Sequence, residues 1–139
     1  MDIISEVKSL SLPSDSYAVL GSSILAIHGI REANDIDMIV SPGLFDMLRK
    51  SGWTEETQES GRLGLAKGHF FVMTNWPTNW PPDEEGRVLE EFKPHIETRN
   101  GIPFLSLSFM RDWKAQVGRP KDLEDVVLID RYLETHASI

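Results

Sequence analysis

The run Asp35-Ile36-Asp37-Met38-Ile39-Val40 constrains this chain more than any other segment, because it sets two carboxylates two residues apart inside an apolar stretch. Side chains alternate between the faces of a strand, so Asp35, Asp37 and Ile39 share one face and Ile36, Met38 and Val40 the other. An acid in a buried strand needs a partner or a cation, since desolvating an unpaired carboxylate is costly. Two acids pointing the same way can converge on one hard divalent cation, which prefers oxygen ligands. The competing interpretation, a solvated or salt-bridged pair on an exposed edge, fits the apolar surroundings less well.

A second feature precedes it. Tyr17 to Leu20 is a short apolar run, expected as a buried strand, and Gly21-Ser22-Ser23 leads from it into a short helix through Ile24, Leu25, Ile27 and His28. Free backbone N–H groups at such a turn favour a phosphate, and glycine allows close approach. A plain helix cap is the simpler role of Gly-Ser. The stretch from Ser23 to Asn34 is long enough for one short helix and a return onto a neighbouring strand.

The rest of the chain predicts one domain over residues 1–139, without repeat or linker. Ile3, Ile4, Val7 and Leu10 have helical spacing. Ser41-Pro42-Gly43 starts a helix through Lys50, with Gly52 closing it. Two strands are expected to flank the glycine-rich Gly61 to Gly68, the second being His69 to Thr74. Asn75 to Pro82, with three prolines, is expected as a loop, and Glu84 to Phe92 as a helix. Asn100-Gly101 predicts a type I′ hairpin between His95–Arg99 and Ile102–Leu105. Ser106 or Ser108 caps a helix to Gln116, and a last helix begins near Pro120–Asp122, with Leu123, Val126 and Val127 as its apolar positions. Helices alternating with strands, plus one hairpin, give an α+β (mixed α/β) fold with a central mixed sheet flanked by helices.

Composition narrows the function classes. The absence of cysteine excludes disulfides, thiolate metal sites and cysteine nucleophiles. The formal net charge of −8 argues against a broad nucleic-acid footprint. Arg111, Lys114, Arg119 and Lys121 nevertheless cluster with only Asp112 among them, leaving room for a local anion site. No apolar run is long enough for a membrane span, the start has no secretory pattern, and a cytoplasmic location is expected.

Gly21-Ser22, a spacer, then Asp35-Ile36-Asp37 followed by Met38-Ile39-Val40 resembles the signature of the DNA polymerase β-type nucleotidyltransferase superfamily. The segment from Trp113 to Val126, with Lys114 and then Gly118-Arg119-Pro120-Lys121-Asp122-Leu123-Glu124-Asp125, resembles its small bacterial members, the minimal nucleotidyltransferases and abortive-infection toxin-like proteins. The two motifs bracket most of the chain. The resemblance implies a nucleotidyltransferase-like fold, a nucleoside triphosphate substrate, and Mg²⁺ (or Mn²⁺). It implies transfer of a nucleotidyl group to an acceptor that is a small molecule, a protein or an RNA end. By the same resemblance Asp35 and Asp37 hold the metal and Gly21 and Ser22, with Ser23 beside them, contact phosphate. The family adds a third carboxylate on a later strand; here that strand, His69 to Thr74, has no acid, and Phe71 or a neighbour takes the place. Glu90, Glu91 and Glu97 are substitutes that no spacing selects. The alternative is therefore a nucleotidyltransferase-fold protein with impaired catalysis that binds or regulates, one half of a toxin–antitoxin-like pair, acting as a homo-oligomer or with a protein partner.

Other residues carry two interpretations each. Arg31 is a triphosphate ligand or an ion-pair partner of Glu32 or Asp35. Lys114 is favoured as a phosphate ligand, whereas Arg119, Asp122 and Asp125 are favoured as structural. His69 stands near the metal or at an exposed strand end. Trp76 and Trp80 stack on a base or, more commonly for such tryptophans, cover the core edge. His28 is expected to be a satisfied helix-end histidine.

Overall fold

The computed structural model describes residues 1–58, 61–77 and 86–136. Its elements follow from local sequence signals. Helix α1 (Ile3–Ser9) starts where the Asp2 carboxylate accepts from the Ser5 amide, and it buries Ile3 and Val7. Strand β1 (Tyr17–Leu20) is buried along its length, and Gly21 turns the chain into α2 (Ser22–Ile27). Strand β2 (Ile36–Val40) follows. Ser41 then caps α3 (Pro42–Lys50) by accepting from the Leu44 amide.

Strands β3 (Thr54–Thr57), β4 (Leu63–Lys67) and β5 (Phe70–Met73) form a meander. The glycine-rich segment expected to be flanked by strands thus contains one. The physical reason lies at Gly64: an added Cβ would run into the Phe71 ring and stand 2.8 Å from the Val72 carbonyl oxygen. Only a residue without a side chain lets that ring lie down over β4. His69 sits in the β4–β5 turn, outside the strand predicted to start there.

Helix α4 (Leu89–Phe92) continues as a 3₁₀ turn, Lys93–His95. It takes up His95, which the sequence placed at the head of a strand. Strands β6 (Ile96–Arg99) and β7 (Ile102–Leu105) form the predicted hairpin. Asn100 and Gly101 both adopt positive φ, 51° and 81°, as a type I′ turn requires. Ser106 caps α5 (Leu107–Val117), Gly118 ends it at φ 72°, and α6 (Pro120–His136) follows.

The strands join in one seven-stranded mixed sheet of order β3-β4-β5-β2-β1-β7-β6, accompanied by six helices among the described residues. β1 pairs antiparallel with β2 and parallel with β7, while β2 pairs parallel with β5. The two central strands are therefore covered on both faces: Ala18, Val19, Ile36, Met38, Ile39 and Val40 are fully buried. This fixes the register of β2, since a one-residue slip would drive Asp37 into the apolar layer.

Helix α6 departs from its predicted face. Asp122 and Asp125 are buried at 1% and 5% exposure, whereas Leu123 and Val127 are 49% exposed. The bases of α5 and of the α2–β2 loop draw the acids inward and turn two of the three expected apolar positions to solvent. No helix among the described residues is long and apolar enough to cross a membrane.

Candidate functional site

Register brings the two sequence motifs together. Leu20 lies opposite Asp37 across the β1–β2 pair, so Gly21 leaves β1 directly beside that carboxylate. Gly21 adopts φ 75°, ψ −151°, a region open essentially to glycine alone. A Cβ there would stand 3.1 Å from Asp37 Oδ2. Gly21→Ala should therefore lower stability by about 1–3 kcal/mol from backbone strain alone. It should also displace the Asp37 carboxylate. Urea unfolding measures the first effect, and an unchanged midpoint would show that the turn relaxes freely.

Ser23 helps to fix the same corner in another way. It is wholly buried, and its hydroxyl donates to the Asp35 backbone carbonyl at 3.2 Å. Its side chain thus ties α2 to the start of β2 instead of facing a phosphate. Asp35 itself is exposed and just precedes the strand. It and Asp37 line one cavity.

Asp37 has the unusual electrostatics. It is partly buried, and its carboxylate makes no hydrogen bond or ion pair with any described residue. Burial, then the Asp35 charge, push its pKa up to about 6, against the weaker pull of Lys114 and Lys121. A carboxylate held this way is under-compensated, the condition that a cation would relieve.

On one side of Asp37 is a cavity of about 150 Å³ whose lining includes Gly21, Ser22, the acids Asp122 and Asp125, and four cations: Arg31, Lys114, Arg119 and Lys121. Three of those cations are engaged. Arg31 makes a bidentate pair with Asp125, both contacts 2.8 Å, and donates to the Glu32 backbone carbonyl. Its ion-pair partner is thus Asp125, neither Glu32 nor Asp35 as the sequence suggested. The Lys114 ammonium is buried against Asp125 at 3.0 Å and Asp122 at 3.7 Å. Arg119 holds Asp122 at 2.6 Å. Lys121, by contrast, is exposed and makes no hydrogen bond or ion pair with a described residue, acting on Asp37 only through its charge. Sequence reasoning favoured Lys114 as the ligand and left Lys121 open between an anion-binding and a structural role, because proximity along the chain does not reveal which ammonium is already paired.

On the other side, Phe71 is the β5 residue opposite Asp37, where a third acid was sought. None of the substitutes reaches it. Glu90 pairs with Lys93, Glu91 accepts from the Val88 amide, and Glu97 lies on β6 at the far edge of the sheet. Among the described residues no group of three His, Asp or Glu side chains is arranged to hold a metal. His69 pairs with Glu6 of α1 at 3.2 Å. Trp76 is buried against Trp113, whose indole donates to the Pro77 carbonyl, so it covers the core edge; Trp80 and Glu84 lie outside the described residues. His28 packs edge-on to Tyr132, and burial, then the Arg99 charge, lower its pKa.

No protein-family model matches the chain, and no curated protein or solved structure matches it significantly.

Proposed function

We propose that the chain is a nucleotidyltransferase-like protein that binds a nucleoside triphosphate with Mg²⁺ (or Mn²⁺) and transfers the nucleotidyl group to an acceptor hydroxyl. The observation that carries this is Asp37, an unpartnered, raised-pKa carboxylate beside Asp35, on the wall of a cavity that also holds Gly21 and Lys121. The antiparallel β1–β2 pair that joins Gly21-Ser22 to Asp35 and Asp37 supports a nucleotidyltransferase-like fold.

The two carboxylates suit the cation. Mg²⁺ is commonly held by one or two carboxylates, with water and substrate phosphate completing the shell, so Asp35 and Asp37 suffice when a triphosphate is bound. Such an ion would neutralise charge on the phosphates. In the reaction, a lone pair on the acceptor oxygen forms a bond to the α-phosphorus. The bond from that phosphorus to the bridging oxygen breaks, pyrophosphate leaves with the electron pair, and the acceptor proton passes to water. Gly21 admits the phosphates close to the backbone, Lys121 meets their charge at the rim, and Lys114 adds a fixed positive field from behind. Catalysis rests on positioning and charge.

The decisive experiment is incubation with labelled nucleotides, Mg²⁺ and candidate acceptors. Covalent transfer is expected in the wild type and not in Asp37→Ala. Phe71 in the third-acid position favours a second reading, a protein that binds nucleotide and regulates without turnover. Mg²⁺-dependent binding with no labelled product would establish it. Lys121→Gln is expected to weaken triphosphate binding about tenfold with little change in melting temperature, because a charge-assisted phosphate contact is lost and no ion pair is broken. Calorimetric titration reads this, and equal affinities would remove Lys121 from the site.

A further inference from the structure

The strand order leaves two edges, β3 and β6. An edge strand presents unpaired backbone N–H and C=O groups that a second chain can meet, and charged side chains are one way to guard it. β3 is guarded. Its residues Thr54-Glu55-Glu56-Thr57 carry two acids and no base, so two copies laid edge to edge would have no opposite charges to set across from each other. β6 differs: Ile96-Glu97-Thr98-Arg99 carries one acid and one base, on either side of Thr98. Glu97, Thr98 and Arg99 are all exposed. Neither charged side chain is in an ion pair with a described residue, and the Arg99 guanidinium lies 3.5 Å from the His28 ring.

The hairpin decides which backbone groups β6 turns outward. In a two-residue hairpin the closing residues exchange hydrogen bonds, and the pairs beyond them alternate. Arg99 and Ile102 close this one, followed by Thr98–Pro103 and Glu97–Phe104. Pro103 has no N–H to give, which suits the non-hydrogen-bonded pair. The backbone groups of Arg99 and Glu97 therefore point to β7, and those of Thr98 and Ile96 point away from the sheet. Two copies can meet antiparallel with Thr98 opposite Thr98, each giving and accepting one bond. Glu97 of each copy then lies directly across from Arg99 of the other. Centring the pair on Glu97 would oppose two glutamates, and centring it on Ile96 would oppose Arg99 and Lys93. Of these registers, the one on Thr98 alone pairs opposite charges.

We propose that β6 is the interface of a homodimer, in which two seven-stranded sheets join edge to edge into one continuous sheet. The contact is isologous and closes on itself, because each copy has one self-complementary edge and the β3 edges left at the two ends do not pair. Strands of four residues bury little surface, so the dimer is a weak one, smaller than a standard interface. Asp37 lies inward of β6 across β7 and β1. At about 4.8 Å between strands, the two Asp37 residues of the dimer stand roughly 35 Å apart. Each cavity beside Asp37 therefore stays open, and the proposal does not depend on the nucleotidyl-transfer reading.

Sedimentation velocity on the full chain, from about 10 μM to about 1 mM, covers the affinities of so small a contact. The wild type should pass from monomer toward dimer across that range. Glu97→Arg and Arg99→Glu should each weaken dimerisation by about tenfold, since both cross-strand pairs become like-charged. Mixed in equal amounts, the two variants should associate about as well as the wild type does with itself, because the arginines of one then face the glutamates of the other. A variant that merely failed to fold could not give that recovery. Glu55→Gln, on the β3 edge, should leave association unchanged. Thr98→Pro, which removes the central N–H, should abolish it. A mixture that stays monomeric, single charge variants that dimerise like the wild type, a dimer lost in Glu55→Gln or one that survives Thr98→Pro would each overturn the proposal. A wild type that stays monomeric throughout would overturn it too, and would leave the edge to a strand of some other protein.

Discussion

Asp37→Asn should raise the melting temperature at pH 8 in the absence of divalent cation, by roughly 5–10 °C. The sign follows from linkage. The folded-state pKa of Asp37 is raised from 3.8 to about 6, so the folded state holds this proton more tightly than the unfolded chain does. Any stability tied to the protonated form is complete below about pH 4. It is lost as the pH rises toward 6, leaving the ionised group a liability on the order of 3 kcal/mol. Asparagine keeps the shape and removes the charge. The two proteins should therefore melt together at acid pH, diverge between about pH 4 and 6, and stay apart above that. Magnesium with a triphosphate should raise the melting temperature of the wild type and leave Asp37→Asn unmoved. Denaturation scans at several pH values test this. A variant that melts lower than the wild type at pH 8, or a gap that does not change with pH, would refute the view of Asp37 as an under-compensated carboxylate.

Such a residue was legible in the sequence because its signal is local. Asp37, set among Ile36, Met38, Ile39 and Val40, contradicts the strand around it, and such a local contradiction is where function is to be sought. Asp35, which the sequence placed in the same strand, lies just before it and is exposed. Helix starts and turns were legible for the same reason: Ser41 and Ser106 accept from backbone amides close by, and Asn100-Gly101 has little choice of turn. What was not legible depends on residues far apart in the chain. Arg31 and Asp125 are 94 positions apart, so no spacing argument could pair them, and Glu32 was merely the nearest candidate. Gly64 reads as a loop residue until Phe71 is placed over it from the next strand. Glu56 had no pattern at all; only the β3–β4 register puts it on the face of Asp37.

Helix α6 shows how a tertiary network overrides periodicity. Its sequence offers Leu123, Val126 and Val127 as an apolar face, and the structure buries Val126, Asp122 and Asp125 instead. Taking an acid out of water is unfavourable alone, so the choice of face requires Arg31, Lys114 and Arg119 to be already in place. In return, the cations fix how α5, α6 and the α2–β2 loop meet at the rim of the cavity, and Asp35 lies at the end of that loop.

Asp125→Ala should be the most damaging single change in this network, costing on the order of 3–5 kcal/mol. Asp125 receives both guanidinium contacts of Arg31 and the Lys114 ammonium at 3.0 Å. Burial works to raise its pKa, but the hydrogen bonds from Arg31 and Lys114, with their charges, outweigh it and hold the carboxyl below its ordinary range. Truncation leaves Lys114 buried with Asp122 at 3.7 Å as its remaining ion-pair partner, a charge stranded in the interior. Arg31→Met removes a cation that is 36% exposed, so its cost should be only about 1 kcal/mol. The pH dependence should oppose that of Asp37. A depressed carboxylate pKa supplies stability that is present above the ordinary carboxylate range and is lost as the pH falls through the folded-state value. The gap between wild type and Asp125→Ala should therefore narrow in acid, where the gap for Asp37→Asn also vanishes, but with the wild type as the more stable protein at neutral pH. Urea unfolding at neutral and acid pH measures both, and Asp125→Asn gives the same comparison where the alanine variant is too unstable to purify. A loss below about 1 kcal/mol at neutral pH would place this network among ordinary surface ion pairs and end its claim to hold the rim of the cavity in shape.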